Sequence, residues 1–423
     1  MKIKPVFIFK LTLVFLIFIY IGLCEINSYT NKFDATLTLL FSAVFLFKSR
    51  KNPLICLVAF FMFYCNYSIV IGEYIIGGNL GIPLYEVKST HFYGITIRIL
   101  LLFISIITIF YNNKQLDLLE FKLIPKDNVV VFFSIYLILI YIVLFGINRT
   151  ELNSYGVSIT PLYEYSNLLF LFAYYFSGTS KIRKSLFIIL LSIFILQDFY
   201  YGGRITSLQL IFLFLLTVFI PRLSFKGILM YGVLGLFINS LVATYRKDYS
   251  LEIADLFGII PKLVNGYFVF DTPVYAYYAS ATHVAATEIA EFNVRLSSLI
   301  EFIKSIVMGS NNGISNVTGY VSTNYYQNIG GGIIPTHFYF WMGWLGVIVI
   351  GIILVLIFNR LTSPKNDFQK MFFIMIILTV PRWYLYSPLS LFRGSIFFLI
   401  MLYISFLTLN VITQKVAGKK HIN

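Results

Sequence analysis

Apolar stretches long enough to cross a bilayer recur along the whole chain, at about 5–23, 35–48, 53–72, 93–112, 128–147, 164–179, 185–200, 204–220, 226–244, 338–358, 370–387 and 394–411. About 20 apolar residues in a helix span the hydrocarbon, and helices satisfy their own backbone there. The pattern therefore predicts an all-α, polytopic transmembrane bundle of about twelve spans, with both ends on one side. One interval, 245–337, breaks the short-loop rhythm and is too long for a connector. It is expected to be a long extracytoplasmic loop containing short helices. Within it, 292–308 carries apolar residues at helical spacing and predicts a helix lying on the membrane surface. The chain then divides into 1–244 (transmembrane helices 1–9), 245–337 (the loop), and 338–423 (transmembrane helices 10–12 and a cytoplasmic tail).

Composition agrees: 59% of the 423 residues are hydrophobic and 12% charged, against about 45–50% and 25% in soluble domains. A net charge of +14 in a soluble chain suggests nucleic acid. Here the charge sits in short loops between spans, so orientation explains it and no nucleic-acid partner is expected. With the N-terminus cytoplasmic, the inner segments hold 20 of the 32 basic residues and 4 of the 18 acidic ones, as the positive-inside bias requires. Both termini are then cytoplasmic. The stretch 5–23 is expected to stay as a first helix, because Ile21-Gly22-Leu23-Cys24 lacks the small residue of a cleavage site. Cys24, Cys56 and Cys65 show no metal or redox spacing and read as packing residues.

Seven of the eleven arginines fall at the expected outer face: Arg98, Arg149, Arg204, Arg246, Arg295, Arg382 and Arg393. Arginine there opposes the orientation bias, and its planar fork suits phosphate. In Tyr200-Tyr201-Gly202-Gly203-Arg204 the glycines permit a tight turn. Arg204 then opens a helix whose amides favour an anion; the plainer reading pairs it with Asp198 or a headgroup. Arg246 and Lys247 open the long interval, as ligand contacts or as snorkelling anchors. At its close, in Pro335-Thr336-His337-Phe338-Tyr339-Phe340-Trp341, His337 can accept a proton from a sugar hydroxyl. Tyr339 and Trp341 can stack on sugars; the alternative is an aromatic belt at a helix start. Arg382 and Arg393 complete a diphosphate clamp or anchor to lipid. Arg98, inside its span, is a functional candidate or a partner of Glu73 or Glu86. Gly330-Gly331-Gly332 lacks the Lys-Ser/Thr of a phosphate loop and reads as a hinge. The aromatic run 267–278 stacks sugars or packs the loop. There is no HExxH, GxSxG or Cys–His constellation, so no metal or other cofactor is expected.

These features resemble the O-antigen and capsular repeat-unit polymerases. The likeness rests on the twelve spans, Gly203-Arg204 with Thr206-Ser207 opening a helix, Arg246 entering the long loop, and Pro335-Thr336 followed by Gly343-Trp344-Leu345-Gly346; it covers roughly 190–400. Many relatives carry Glu six positions before the first closing glycine, where this chain has His337. The resemblance implies metal-independent glycosyl transfer at the outer face of a bacterial inner membrane. Its substrate is an undecaprenyl-diphosphate-linked oligosaccharide in the lipid bilayer, with a chain-length regulator as partner protein. Arg204 and Arg246 would bind the diphosphate, His337 the acceptor hydroxyl, and Arg393 a secondary phosphate contact. Three alternatives stay open: a flippase for the same lipid, a ligase for finished glycan, and a lipid-phosphosugar-dependent transferase using Glu25 or Asp34.

Overall fold

The computed structural model describes residues 5–77, 90–147, 160–201, 203–220, 223–245, 264–309, 313–328, 330–361 and 364–419. Among these residues the architecture is all-helical, with no strand and one isolated bridge, Asp127 to Ser177. Apart from single turns of three or four residues, the helices in chain order are α1 (Pro5–Leu23), α2 (Ser28–Lys48), α3 (Pro53–Ile69), α4 (Thr90–Phe110), α5 (Val129–Phe145), α6 (Ser166–Phe176), α7 (Lys181–Tyr200), α8 (Ile205–Thr217) and α9 (Phe225–Tyr245). There follow α10 (Asp271–Ile289), α11 (Phe292–Met308), α12 (Val317–Asn324), α13 (Ile334–Met342), α14 (Trp344–Arg360), α15 (Asp367–Leu378), α16 (Val380–Leu385) and α17 (Leu399–Lys419). Two π-helical stretches, Val70–Ile75 and Ser390–Phe398, continue α3 and lead into α17.

Among the described residues, four helical segments are long and apolar enough to cross a membrane: Pro5–Leu23, Pro53–Ile75, Thr90–Phe110 and Ser390–Lys415. α1 exposes Phe7, Phe9, Phe15 and Leu16, a surface that suits hydrocarbon and is unfavourable in water. α5, α6, α8 and α14 are apolar but shorter. Each expected stretch contains a helix, and the departures have local causes. α2 begins at Ser28 because Asn27 and Thr30 form a reciprocal capping box, which satisfies amides the apolar pattern ignores. The expected span 338–358 is broken at Gly343, whose φ of 62° lies where side chains are strained. A Cβ at Gly346 would meet the Phe338 carbonyl oxygen at 2.0 Å, so α14 folds back tightly on α13. His337, Tyr339 and Trp341 thus belong to a short separate helix.

The chain forms two compact units that interleave along the sequence, and their boundaries cut across the three-part division by position. The first comprises Met1–Leu116, Pro261–Ser363 and Arg382–Leu391. α4 is its axis, packed on α1, α2, α10, α13 and α14. It is apolar on nearly every face, which is what a fully surrounded helix requires. At one end, Lys48 Nζ donates to the Thr108 carbonyl (2.8 Å) and Asn359 Nδ2 to that of Phe110 (3.2 Å). At the other, Asn31 Nδ2 donates to Thr90 O (3.0 Å) and His91 faces Glu288 at 3.3 Å. Although it falls in the expected loop, α10 buries thirteen residues against this core. α11 spans the surface helix expected at 292–308.

The second unit comprises Asp117–Ile260, Pro364–Pro381 and Phe392–Asn423. All eleven residues of α6 are buried at its centre, against α5, α7, α8 and α15. One end gathers Arg183–Asp127 (2.7 Å), Lys126–Asp367 (3.9 Å) and Asn128 Nδ2 to Asn410 Oδ1 (2.7 Å). The other holds Asp198, Tyr163 and the start of α8.

Candidate functional site

In the first unit, α10 is fastened before it begins. Tyr267 and Phe268 hold positive φ values of 51° and 55°, a strained conformation for aromatic residues. Hydroxyls of α3 bind both carbonyls: Tyr67 to Tyr267 O at 2.8 Å, and Tyr64 to Phe268 O. Glu73, in the π-stretch after α3, accepts from Tyr278, and Tyr277 donates to Tyr93 O at 2.7 Å. The aromatic run 267–278 is therefore committed largely to packing.

This anchoring sets the middle of α10 against α13. Two rungs fix the register: Ser280 Oγ accepts from Ile333 N (2.8 Å), and one turn on, His283 Nδ1 faces Thr336 Oγ1 (3.4 Å). The His283 and His337 rings stand edge-to-face with centroids 4.8 Å apart, and both side chains are buried. Burial pushes both imidazoles down, His337 to about 4, because charging a dehydrated ring is unfavourable. Both are neutral at pH 7. His337 Nε2 faces Gly332 O at 3.2 Å; since a carbonyl only accepts, that nitrogen carries the hydrogen. A backbone group of Tyr386 also favours the ring's charged form. Among the described residues, His283 Nε2 has no hydrogen-bond partner.

The glycine run is a packed strap rather than a hinge. A Cβ at Gly331 would lie 2.2 Å from Tyr386 Cα, and one at Gly332 would lie 2.2 Å from His283 Cε1. The glycines let the chain thread between the imidazoles and the 382–391 turn.

The remaining expected residues have varied fates. Trp341 is buried; its Nε1 donates to Ser298 Oγ (3.1 Å), and its ring packs on Phe302 at 4.5 Å. It is a core residue of the α11–α13 contact, not a sugar platform. Tyr339 is half-buried beside Trp344 and lies within electrostatic reach of Glu288 and Arg295. Arg382 is half-buried at the start of the turn that brings Tyr386 to His337. Arg98 does not pair with Glu73, and Glu86 lies outside the described residues. Its Nε donates to Asp34 Oδ2 (2.9 Å) and its terminal nitrogens to the carbonyls of Ile21 (3.1 Å), Cys24 (2.8 Å) and Glu25 (3.1 Å). It caps the C-terminal end of α1 and ties α1, α2 and α4 together. Asp34 is fully buried in this clamp and also accepts from Tyr20 (2.8 Å).

In the second unit, Arg204 is the residue before α8. The anion at that helix start is the chain's own Asp198. Its Oδ2 accepts from Ser207 N (2.9 Å) and Ser207 Oγ (2.6 Å), while Oδ1 accepts from Tyr163 (3.2 Å). A Cβ at Gly203 would lie 2.3 Å from Asp198 Oδ1, so this glycine serves close packing on the carboxylate. The Ser207 amide at this helix start is thereby committed to the chain's own carboxylate. Arg393 is half-buried with its guanidinium over the Phe398 ring at 4.9 Å. Arg246 and Lys247 lie outside the described residues.

Sequence reasoning missed His283, and named Asp198 only as an alternative partner of Arg204, not as the acceptor for the α8 amide. The available signal for His283 was a single imidazole in a run of small residues, Ala279-Ser280-Ala281-Thr282-His283-Val284-Ala285-Ala286, the composition of a closely packed helix. No group of three or more His, Cys, Asp or Glu among the described residues can hold a metal. No protein-family model, characterised protein or solved structure matches the chain.

Proposed function

We propose that this chain is a polymerase of a bacterial inner membrane, joining undecaprenyl-diphosphate-linked oligosaccharide repeat units into O-antigen or capsular polysaccharide at the outer face. The observation that carries this reading is the buried pair of neutral imidazoles on α10 and α13, in the interval expected outside the membrane. Such a pair suits accepting a hydrogen bond from a sugar hydroxyl. The twelve-span topology is supported by a helix in every apolar stretch and, within each unit, by basic helix ends lying together, Lys10 near Lys48 and Lys370 bonded to Lys122 O.

The growing glycan would be transferred from its diphosphate to a hydroxyl of another lipid-linked unit. Arg204 and Arg246 are assigned to the diphosphate, where guanidinium stabilises the charge that develops on the leaving group. Arg393 is assigned a further phosphate contact. Tyr339, Arg382 and Lys247 are assigned to substrate binding. Arg98 and Trp341, engaged within the protein, are not. The capture of Asp34 by Arg98 and Tyr20 counts against a transferase using that carboxylate.

The test is genetic. A strain making such a polymer is deprived of this chain and complemented with wild type, Arg204→Ala or Arg246→Ala, with protein levels checked. Wild type restores a ladder on gels, and each variant leaves single capped units. Normal ladders from both variants refute the arginine roles. Undelivered polymer in the deletion strain indicates a ligase, and lipid translocation in liposomes a flippase.

A further inference from the structure

We infer that His283, rather than His337, is the residue that takes the acceptor hydroxyl's proton, through a buried Nε2 lone pair whose orientation Thr336 fixes. This rests on the glycosyl-transfer reading above.

A threonine hydroxyl has one hydrogen. Thr336 Oγ1 donates it to Ile333 O at 2.8 Å, so towards His283 it can only accept. The 3.4 Å contact therefore places the ring proton on Nδ1, and Nε2 carries the lone pair. That nitrogen is buried and without a hydrogen-bond partner among the described residues. An unsatisfied buried acceptor is unfavourable and calls for an explanation, and here a proton-accepting role supplies one. His337 is differently placed: its Nε2 donates to Gly332 O (3.2 Å), and its ring stands edge-to-face on His283. It is a positioning residue. The Ser280–Ile333 rung and the absence of a side chain at Gly332 complete the clamp on the His283 ring.

In the reaction the acceptor O–H donates to His283 Nε2. The acceptor oxygen bonds to the anomeric carbon of the donor sugar, and the bond from that carbon to the diphosphate oxygen breaks. Its electron pair leaves with the diphosphate, and the proton passes to Nε2, from which it is later released to water. A weakly basic nitrogen suits this order, because the hydroxyl becomes acidic only as its new bond forms. The ring is fully buried, so acceptor binding has to open the packing around it.

The chain has four histidines, so nitrogen-15 spectra of histidine-labelled full-length protein in nanodiscs are simple to assign with His283→Gln and His337→Gln. At pH 7, His283 is expected as the neutral tautomer protonated at Nδ1. Thr336→Ser should keep that signature and Thr336→Val should lose it. A His283 ring protonated at Nε2 or charged, or a signature unchanged in Thr336→Val, overturns the inference. With purified lipid-linked repeat units, His283→Gln should lower kcat at least about 100-fold, the low end for loss of a general base, with KM within about threefold. Thr336→Val should lower kcat about tenfold, and Thr336→Ser should restore it. A folded His283→Gln enzyme at wild-type kcat, or one changed only in KM, also overturns it. Should wild type make no polymer from these units, the polymerase reading fails while the spectra still decide the tautomer.

Discussion

Replacing Arg98 with alanine removes a guanidinium that is 3% exposed and leaves a carboxylate, Asp34, that is 0% exposed. Breaking a buried ion pair from one side costs about 3–5 kcal/mol, because the surviving charge stays dehydrated and unpaired. Three carbonyls at the end of α1 lose their donor as well, which places the loss towards the upper end. For a unit of about 150–250 residues, 1 kcal/mol corresponds to about 2–4 °C in Tm, so a fall of about 6–20 °C is expected. The assay is thermal unfolding of detergent-solubilised protein followed by tryptophan fluorescence. Asp34→Leu should fall comparably, whereas Arg98→Leu with Asp34→Leu should recover much of the loss, since apolar replacement of both partners removes the stranded charge. The double variant should still extend glycan chains. An Arg98→Ala protein with unchanged Tm and no chain extension would refute the structural role and return Arg98 to the substrate.

Other outcomes follow from the same geometry. His337 titrates near 6.5 when unfolded and is pushed down to about 4 when folded. Between those values the unfolded chain binds a proton that the native one does not. Stability is therefore fully present above pH 6.5 and is lost as pH falls towards 4; Tm measured between pH 7.5 and 5 should drop, and His337→Gln should flatten the slope. An equal slope in the variant would remove His337 as the cause. Gly203→Ala drives a methyl group into Asp198 and should destabilise the second unit by about 1–3 kcal/mol, read as a lower midpoint of thermal unfolding. Trp341→Phe loses one hydrogen bond to Ser298 and about 0.5–1.5 kcal/mol, with KM for lipid-linked glycan unchanged; a large KM rise would restore the sugar-stacking role.

Taken alone, the sequence determined the helical class and the approximate position of each apolar helix, because helix length and hydropathy are local properties that a bilayer constrains strongly. It also placed α11 correctly from its apolar spacing. It marked His337, but not the partner that gives that residue its setting. Only the tertiary structure paired Arg98 with Asp34 across 64 positions, put Asp198 at the α8 amides, and set His283 beside Thr336 across 53. These pairings are long-range satisfactions of buried polar groups, and hydropathy carries no information about which donor meets which acceptor. The glycines teach the same lesson. Gly203, Gly331 and Gly332 read as turn or hinge residues in sequence, yet the neighbour that forbids a Cβ at each is a side chain or backbone supplied by folding.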